Sequence, residues 1–329
     1  MPTYYYPSLK TIAITMILAG SFWATAGAQD YPYLEQIPIM LEAAPGKCID
    51  LLNGSTANGT NIQIWDCSDG YPRQEWTLSG RQIKYGAQTD KCLSFAGDNA
   101  AAGSNIELQD CNSADRRQDW VYNALTKGFH SGGDPQKCLH LNGGNTANGT
   151  NIQLGNCNGQ TAQRWEVDGA FTYDISTTTP AAVIHALDQS KCIDRATTST
   201  ANGTNIELTT CSDATPHYSW LLDGTPRTRL QLVVNNTDSG KCLDLSGGNT
   251  TNGNNIQLLD CQSGNKNQIW IFDGVTLSFR SGKDVNKCLD IAGGEPFADG
   301  ANIRIWDCTD AITQFFDLRE APFQVLQKY

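Results

Sequence analysis

A motif that recurs six times constrains this chain more than any other feature of its sequence. The first copy runs from Lys47 to Trp76. It holds a Lys-Cys pair, an apolar-Asp-apolar triplet, an Asn-Gly turn, a second cysteine and a closing Gln-x-Trp. A period of this length is typical of structural units that pack against their neighbours, so the sequence predicts six similar units. Each copy opens with a Lys-Cys pair, at Lys47, Lys91, Lys137, Lys191, Lys241 and Lys287.

The spacing of the units predicts how they are grouped. Inside a unit the two cysteines are 19 residues apart in five copies and 20 residues apart in the sixth. Successive units begin 44, 46, 54, 50 and 46 residues apart. The longest interval separates the third unit from the fourth and contains a Thr-rich stretch, 176–180. We therefore expect two groups of three units.

Short alternating stretches predict β-strands inside each unit. In the first unit Ile49 and Leu51 flank Asp50, and a turn rich in Gly, Asn and Thr follows at 55–61. Alternation with a period of two is typical of a half-buried strand. Beyond residue 28, no stretch shows a helical period over three turns. Many short strands separated by turns predict an all-β fold, either a sandwich or a barrel.

The twelve cysteines, two in each unit, predict six disulfides. Secreted chains with an even number of cysteines usually pair them, and the constant register favours pairs inside a unit. Zinc binding is the alternative. It is disfavoured because no Cys-x-x-Cys pair occurs and the four histidines are scattered. We expect no metal and no cofactor. The predicted pairs are Cys48–Cys67, Cys92–Cys111, Cys138–Cys157, Cys192–Cys211, Cys242–Cys261 and Cys288–Cys308.

The first 28 residues have the pattern of a secretory signal peptide. Lys10 supplies the positive charge, residues 11–24 are mostly apolar, and Ala26-Gly27-Ala28 fits a cleavage site. A membrane anchor is the alternative, but the apolar run is short for a bilayer. We expect a secreted, extracellular protein. Its predicted parts are a signal peptide at 1–28, a first domain at 29–172, a linker at 173–180 and a second domain at 181–329.

The charge of the chain argues against two kinds of partner. The formal net charge is −11 at pH 7, and the lysines and arginines form no cluster. Nucleic acids and anionic membrane surfaces attract positive patches, so we expect no nucleic-acid partner. We also expect no membrane insertion, because no later segment is long and apolar enough to span a bilayer.

The repeated words of the motif resemble the ricin B-type lectin family. They are the Cys-Leu-Asp or Cys-Ile-Asp triplet, the Gly-rich turn, the Ile-Gln-x-Trp-x-Cys segment and the closing Gln-x-Trp. The resemblance covers nearly the whole chain beyond residue 28. It implies that three units close one β-trefoil, so that six units form two tandem β-trefoil domains with three disulfide-closed repeats each. It also implies a carbohydrate partner.

The aromatic residue of the closing motif is predicted to be a core residue and not a ligand contact. A large ring at one position of every unit buries much apolar area. In the resembling family this motif is mainly structural. The positions are Trp76, Trp120, Trp165, Trp220, Trp270 and Phe316.

The resemblance implies a different set of residues for the sugar pocket. The family uses the aspartate after the first cysteine, a ring before the second cysteine, a glutamine two residues before that ring and polar residues at the closing motif. A carboxylate and amides suit the hydroxyl edge of a pyranose, and a ring suits its C–H face. The alternative for the aspartate is a turn carboxylate bonded to backbone amides. Unit one has the full set, Asp50, Gln63, Trp65 and Gln74, with Arg73 where asparagine is usual.

The other units keep less of this pattern. Leu259 replaces the ring in unit five, and Arg304 replaces the glutamine in unit six. Unit four keeps Asp194, whereas Ser94 and His140 replace the aspartate in units two and three, which we expect to be structural copies. The remaining candidates are Asp244, Gln257, Asn267 and Gln268 in unit five, and Asp290, Trp306 and Gln314 in unit six.

These observations predict a secreted, non-catalytic lectin. We expect it to bind galactose-like or xylose-like residues of polysaccharides or glycoconjugates through shallow, multivalent sites. The alternative is a secreted interaction protein, such as a protease inhibitor or effector, on a trefoil scaffold without sugar affinity. We expect no catalytic residues, because two trefoils use the whole chain and no carboxylate pair has motif support.

Asn-x-Ser/Thr sequons predict a glycoprotein if the source glycosylates its secreted proteins. Three of them occupy one equivalent turn, at Asn58, Asn148 and Asn202. The alternative is that Asn-Gly only makes the turn. Asn53, Asn235 and Asn249 also fit the sequon.

Overall fold

The computed structural model describes most of the chain beyond residue 33. The predicted signal peptide and most of the predicted linker lie outside the described residues. The described residues all belong to one compact unit. In the described residues the regular elements are short strands and 3₁₀ turns, without an α-helix, so the all-β prediction is confirmed. The described ranges are 34–79, 81–86, 88–167, 170, 180–188, 190–211, 219–223, 229–234, 237–294, 296–309 and 311–320.

The first half of the chain contains thirteen of the described strands. They are β1 (Leu34–Ile37), β2 (Ile39–Leu41), β3 (Ala44–Leu51), β4 (Thr60–Asp66), β5 (Trp76–Ser79), β6 (Gln82–Tyr85), β7 (Gln88–Phe95), β8 (Ile106–Asp110), β9 (Trp120–Asn123), β10 (Gly128–Ser131), β11 (Lys137–Leu141), β12 (Ile152–Asn156) and β13 (Trp165–Val167). Short 3₁₀ turns lie at Leu52–Gly54, Pro72–Gln74, Arg116–Gln118, Asn142–Gly144 and Thr161–Gln163.

The second half contains the other twelve described strands. They are β14 (Ala181–His185), β15 (Lys191–Arg195), β16 (Ile206–Thr210), β17 (Ser219–Asp223), β18 (Arg229–Val234), β19 (Thr237–Leu245), β20 (Ile256–Asp260), β21 (Trp270–Asp273), β22 (Ser278–Ser281), β23 (Lys287–Ile291), β24 (Ile303–Asp307) and β25 (Phe316–Glu320). Short 3₁₀ turns lie at Ser246–Gly248, Lys266–Gln268 and Ile312–Gln314.

The three units of each half close into a ring, as a β-trefoil requires. One glycine amide in the turn of each unit donates to a strand carbonyl of the next unit, and the third unit returns to the first. The ends are joined by strand pairing, β2 with β13 in the first half and β14 with β25 in the second. The two tandem β-trefoils are thus confirmed. The six glycine bonds are Gly59–Leu108, Gly103–Leu154, Gly149–Ile64, Gly203–Leu258, Gly253–Ile305 and Gly300–Leu208, with N–O distances of 2.8 to 2.9 Å.

A disulfide and a buried closing ring stabilise each unit. All six predicted cysteine pairs are present. The closing tryptophans are at most 3% exposed, and Phe316 is fully buried. The indole N–H of Trp76 donates to the carbonyl of Ile49 at 3.0 Å, so the large ring is buried without leaving its polar atom unpaired. The prediction that these rings are core residues is confirmed.

The two trefoils meet through paired strands. Strands β9 and β21 join four strands of each half into one eight-stranded sheet. The amide of Ala124 donates to the carbonyl of Phe272 at 2.8 Å, and the amide of Gly274 donates to that of Tyr122 at 2.9 Å. Ala124 packs into the second hydrophobic core, and Val275 packs into the first. The domain boundaries proposed from the sequence stay a prediction, because residues 171–179 are not described.

The turn asparagines of the sequons bridge neighbouring units. Asn148 Nδ2 donates to Asp66 at 2.7 Å, and Lys47 Nζ donates to Asn148 Oδ1 at 2.7 Å. Lys47 and Asn148 hold the pKa of the Asp66 carboxyl below its usual value. Asn58 and Asn202 make the same contacts with Asp110 and Asp260. These asparagines therefore have a structural role in the turn, and their glycosylation stays a prediction.

Candidate functional site

The candidate site of unit one lies on two paired strands. In the antiparallel pair β3 and β4, Asp50 lies opposite Gln63 and Cys48 lies opposite Trp65. Side chains two residues apart on a strand share one face of the sheet, so Gln63 and Trp65 project together. Cross-strand neighbours on one face are close enough to interact. The register of one hairpin thus brings a carboxylate, an amide and an indole ring together.

The carboxylate of Asp50 is buried and held by two amides. Gln63 Nε2 donates to Oδ1 at 2.9 Å, and Gln74 Nε2 donates to Oδ2 at 3.2 Å. Asp50 has no exposed surface. A carboxylate oxygen has two lone pairs, so each oxygen of Asp50 can accept one more hydrogen bond. These two donors are side-chain amides and not the backbone amides that a turn carboxylate would bond.

The closing glutamine serves mainly as a clamp for the loop that precedes it. Gln74 Nε2 also donates to the carbonyl of Asp66 at 2.9 Å, and Gln74 Oε1 accepts from the amide of Ser68 at 2.9 Å. The same two backbone contacts recur in units five and six, at Gln268 and Gln314. All three glutamines are at most 3% exposed. All three hold the loop, and Gln74 and Gln314 also donate to the aspartate of their unit.

The ring of Trp65 is available to a ligand. It is 38% exposed, whereas Trp76 of the same unit is fully buried. The turn of unit three packs beside it: a Cβ built on Gly149 would lie 3.8 Å from the indole. Gly149 has a φ of +85°, in the left-handed region that favours glycine. The expected separation between an exposed and a core tryptophan is confirmed.

Arg73 occupies the position where the resembling family usually has asparagine, and it leaves a donor without a partner. Its Nε is buried, forms no hydrogen bond and lies 3.8 Å from Asp50 Oδ2. The guanidinium lies 4.3 Å from the centre of the Tyr71 ring and also bonds the hydroxyl of that tyrosine. The stem covers Gly54. The unpaired Nε of Arg73 therefore lies near Asp50 Oδ2, which can accept a further hydrogen bond. Their separation of 3.8 Å is too long for a direct hydrogen bond.

Unit six has the same aspartate and ring, but its own arginine fills the space between them. Arg304 Nε donates to Asp290 Oδ1 at 2.7 Å, and the guanidinium carbon lies 4.1 Å from the centre of the Trp306 ring. Thr313 Oγ1 and Gln314 Nε2 donate to Asp290 Oδ2 at 2.8 and 3.2 Å. All three predicted residues of this unit are thus brought together, in a site that is already occupied by side chains.

Unit five has the opposite arrangement, a free acceptor without a ring. Asp244 is 1% exposed, its Oδ1 accepts from Gln257 at 3.3 Å, and its Oδ2 has no hydrogen-bond partner. Burial raises the pKa of the Asp244 carboxyl above its usual value. Asn267 and Lys283 crowd the neighbouring Gly248. A buried oxygen without a donor is costly, and a hydroxyl donor from a ligand would pair it.

The remaining units, two, three and four, lack the combination that defines unit one, a buried aspartate held by amides beside an exposed ring. In unit two Gln109 bonds Glu107 at 2.8 Å, and in unit three His140 lies against Gly155, where no ring is present. In unit four Asp194 accepts from the backbone amide of Arg195 at 2.7 Å. Burial raises the pKa of Asp194 to about 7.

A cleft of about 590 Å³ lies in unit two, away from the positions named by the sequence. Phe95, Asp115, Arg117 and Gly133 are among its lining residues. Asp115 binds the guanidinium of Arg117 through both carboxylate oxygens, at 2.6 to 3.0 Å. Arg116, which also lines the cleft, forms an ion pair with Asp284 at 3.2 Å.

One group of side chains has the composition of a metal site. His130, Cys138 and Cys157 have potential ligand atoms within 4.8 Å of one another, and no other such group occurs among the described residues. Cys138 and Cys157 form a disulfide, so neither sulfur can be a thiolate ligand. His130 is buried, and burial lowers its pKa to about 4. Within the described part of the chain, no helix is both long and apolar enough to cross a membrane.

Comparison with known families decides the assignment that the fold and the site suggest. The family model of the ricin-type beta-trefoil lectin domain matches residues 37–165, 126–270 and 230–327. The chain belongs to this family. The three matches together span both trefoils, as expected for tandem domains. No curated protein matches the chain at a significant level.

Solved structures similar to the chain include proteins from two plants and from an earthworm. The agglutinin from Abrus precatorius is 19% identical, with 90% of this chain and 99% of that chain covered and a TM-score of 0.36. A non-toxic homologue of type II RIPs from Momordica charantia (bitter gourd), in complex with α-methyl-D-galactoside, is 20% identical, with 89% and 99% covered and a TM-score of 0.36. The earthworm R-type lectin C-half, in complex with GalNAc, is 18% identical, with 41% and 98% covered and a TM-score of 0.35. The assignment rests on the family match and not on these likenesses.

Sequence reasoning did not anticipate the roles of three side chains. It treated Arg73 and Arg304 only as departures from a pattern, and it did not name Thr313. An arginine two residues from an exposed aromatic position on the same strand was the available signal for Arg304. In the structure the guanidinium of Arg304 lies over the Trp306 ring.

Proposed function

We propose that the protein is a secreted, non-catalytic lectin that binds galactose-like or xylose-like residues through unit one. The observation that carries the proposal is the pairing of a buried, amide-held carboxylate, Asp50, with the exposed ring of Trp65. A pyranose presents hydroxyls on one edge and C–H groups on one face. A carboxylate suits the edge and an indole suits the face.

Arg73 supports the same proposal. A sugar hydroxyl is both a donor and an acceptor. Between Arg73 Nε and Asp50 Oδ2, which are 3.8 Å apart, a hydroxyl could accept from the first and donate to the second. It would pair a buried donor that the protein leaves unpaired. Arg73 would then take the role that asparagine has in the resembling family.

Affinity at one such site should be weak. The pocket is a shallow surface with one ring, so we expect dissociation constants from about 1 mM to tens of µM. Unit five adds a second candidate acceptor in Asp244 Oδ2. Engagement of several sites on one polysaccharide or glycosylated surface can raise the apparent affinity by about 10² or more when the spacing fits.

Calorimetry of matched variants tests the proposal. The probes are methyl β-galactopyranoside and xylobiose, preceded by a glycan array on the secreted protein. Trp65→Ala should weaken binding at least tenfold, because the stacking surface is lost. It should leave the melting temperature nearly unchanged, because the ring is exposed. Gln109→Ala, at the equivalent position of unit two, is the control and should change neither.

Two results would count against the proposal. If Trp65→Ala binds as well as the parent, the site is not in unit one. If the parent binds nothing on the array, the protein is better described as an interaction protein on a trefoil scaffold without sugar affinity.

A further inference from the structure

Unit six contains the parts of a binding site, but the chain itself covers the ring. The guanidinium carbon of Arg304 lies 4.1 Å from the centre of the Trp306 ring, which is the distance of a cation–π contact. The C–H face of a pyranose would need the same position. Trp306 is only partly exposed, whereas Trp65 is 38% exposed. Among the described residues, no cation lies over the Trp65 ring.

The covering arginine is held in place by the aspartate that would otherwise meet the ligand. Arg304 Nε donates to Asp290 Oδ1 at 2.7 Å. Thr313 and Gln314 donate to Asp290 Oδ2. The Asp290 side chain is only 5% exposed, so removing the arginine would leave a buried carboxylate without its cation. A neutral sugar offers no charge to replace it.

The strand register explains why one residue controls this arrangement. Arg304 lies opposite Asp290 on the paired strands β23 and β24, as Gln63 lies opposite Asp50 on β3 and β4. In both hairpins the ring is two residues further along the same face. The glutamine side chain donates to the carboxylate and is too short to extend over the ring. Arginine bonds the carboxylate through Nε and extends its planar group over the ring.

We propose that Arg304 is the specificity-determining residue of unit six, which it closes to neutral pyranoses, and that glutamine at this position opens the site. The inference rests on the proposed function, since it takes the same class of sugar as the ligand. Unit six is then a latent copy of unit one that differs from it at the residue opposite the aspartate and at the residue before the closing glutamine, where Thr313 stands in place of Arg73.

Calorimetry of the full chain with methyl β-galactopyranoside and xylobiose tests this inference. Trp65→Ala removes the site of unit one and provides the background. The Trp65→Ala protein should show only residual binding, more than tenfold weaker than that of the parent, and adding Arg304→Gln should restore binding to within tenfold of the parent. Adding Trp306→Ala to that double variant should abolish the restored binding, because the new site stacks its ligand on this ring.

The reciprocal change provides an independent arm. Gln63→Arg in the parent should weaken binding at least tenfold, by placing a guanidinium over Trp65. Melting curves of every variant verify that the fold is intact. Because the chain already accommodates arginine at the equivalent position of unit six, a folded Gln63→Arg protein is expected.

The outcomes separate this inference from the proposed function. If the parent binds but the Trp65→Ala, Arg304→Gln protein does not, the inference is wrong and unit one stands. If the Trp65→Ala protein binds either sugar and loses that binding with Trp306→Ala, unit six was open and the inference is wrong. If the parent is silent but Arg304→Gln alone binds, the inference holds and the proposal for unit one fails. If neither the parent nor the Arg304→Gln protein binds either sugar, the inference and the proposed function are both wrong.

Discussion

Units one and six carry the same ring and the same aspartate in the same register, yet they present different surfaces. Asp50 is held by two amides beside an exposed Trp65. Asp290 is held by a guanidinium that also lies over Trp306. The difference shows that a sugar-site motif specifies which groups meet but not whether their surfaces are free. The length and charge of the cross-strand partner decide that.

Unit five shows the opposite case, an aspartate with too few donors. Leu259 stands in place of the ring, and the buried Asp244 Oδ2 has no partner. The three carboxylates therefore differ in how many side-chain hydrogen bonds they accept. Asp50 accepts two, Asp244 accepts one and Asp290 accepts three. The side chains around each carboxylate produce these differences, because the backbone pairing of the hairpin is the same in all three units.

The largest expected effect separates the two kinds of ring in these units. Trp76→Ala in unit one and Phe316→Ala in unit six should each lower the free energy of unfolding by about 3–5 kcal/mol, the usual cost of emptying a buried aromatic position. Both side chains are fully buried. Trp65→Ala should cost less than about 1 kcal/mol. Chemical denaturation measures all three, and an early unfolding of Trp65→Ala would contradict the distinction.

A smaller effect tests the unpaired donor of unit one. Arg73→Ala should weaken sugar binding about tenfold, which corresponds to about 1.4 kcal/mol, because the ligand loses a buried hydrogen bond. Thr313→Ala changes the equivalent position of unit six and should leave sugar binding by the parent protein unchanged. Calorimetry compares the two variants. Equal affinity for Arg73→Ala and the parent would show that Arg73 Nε does not contact the sugar.

The smallest effect concerns the under-satisfied aspartate of unit five. Burial raises the pKa of Asp244, so the folded state holds this proton more tightly than the unfolded chain does. The stability that this provides is complete below the unfolded pKa of about 4 and declines as the pH rises through the folded value. Asp244→Asn should therefore melt above the parent near pH 7, and the difference should vanish towards pH 3.

A carboxylate with the opposite shift provides the control for that measurement. Lys241 and Asn202 lower the pKa of Asp260, so its contribution to stability is present above the unfolded pKa and is lost as the pH falls through the folded value. Asp260→Asn should melt below the parent near pH 7 and match it in acid. If both variants shift in the same direction at pH 7, the explanation by burial and pairing is wrong.

The sequence predicted most of the fold because its strongest signals are local. Cysteines 19 or 20 residues apart fit one hairpin and its loop, and all six pairs formed as expected. A closing aromatic residue in every unit indicated a core position, and these rings are buried. The sites were harder to predict, because the same residue types also serve structural roles. Gln74 clamps a loop, and Asn148 links unit three to unit one.

By itself the sequence determined six disulfide-closed units and their grouping in threes. These follow from spacing and alternation, which short hairpins translate directly into neighbours. Only the tertiary structure decided which aspartate keeps an oxygen without a partner, which ring is covered and how the two trefoils share one sheet. Those outcomes depend on side chains 13 or 14 residues apart across a strand pair, such as Gln63 with Asp50 and Arg304 with Asp290. Whether a cation bonds the carboxylate, covers the ring or does both depends on distances between side chains, and the linear sequence does not contain those distances.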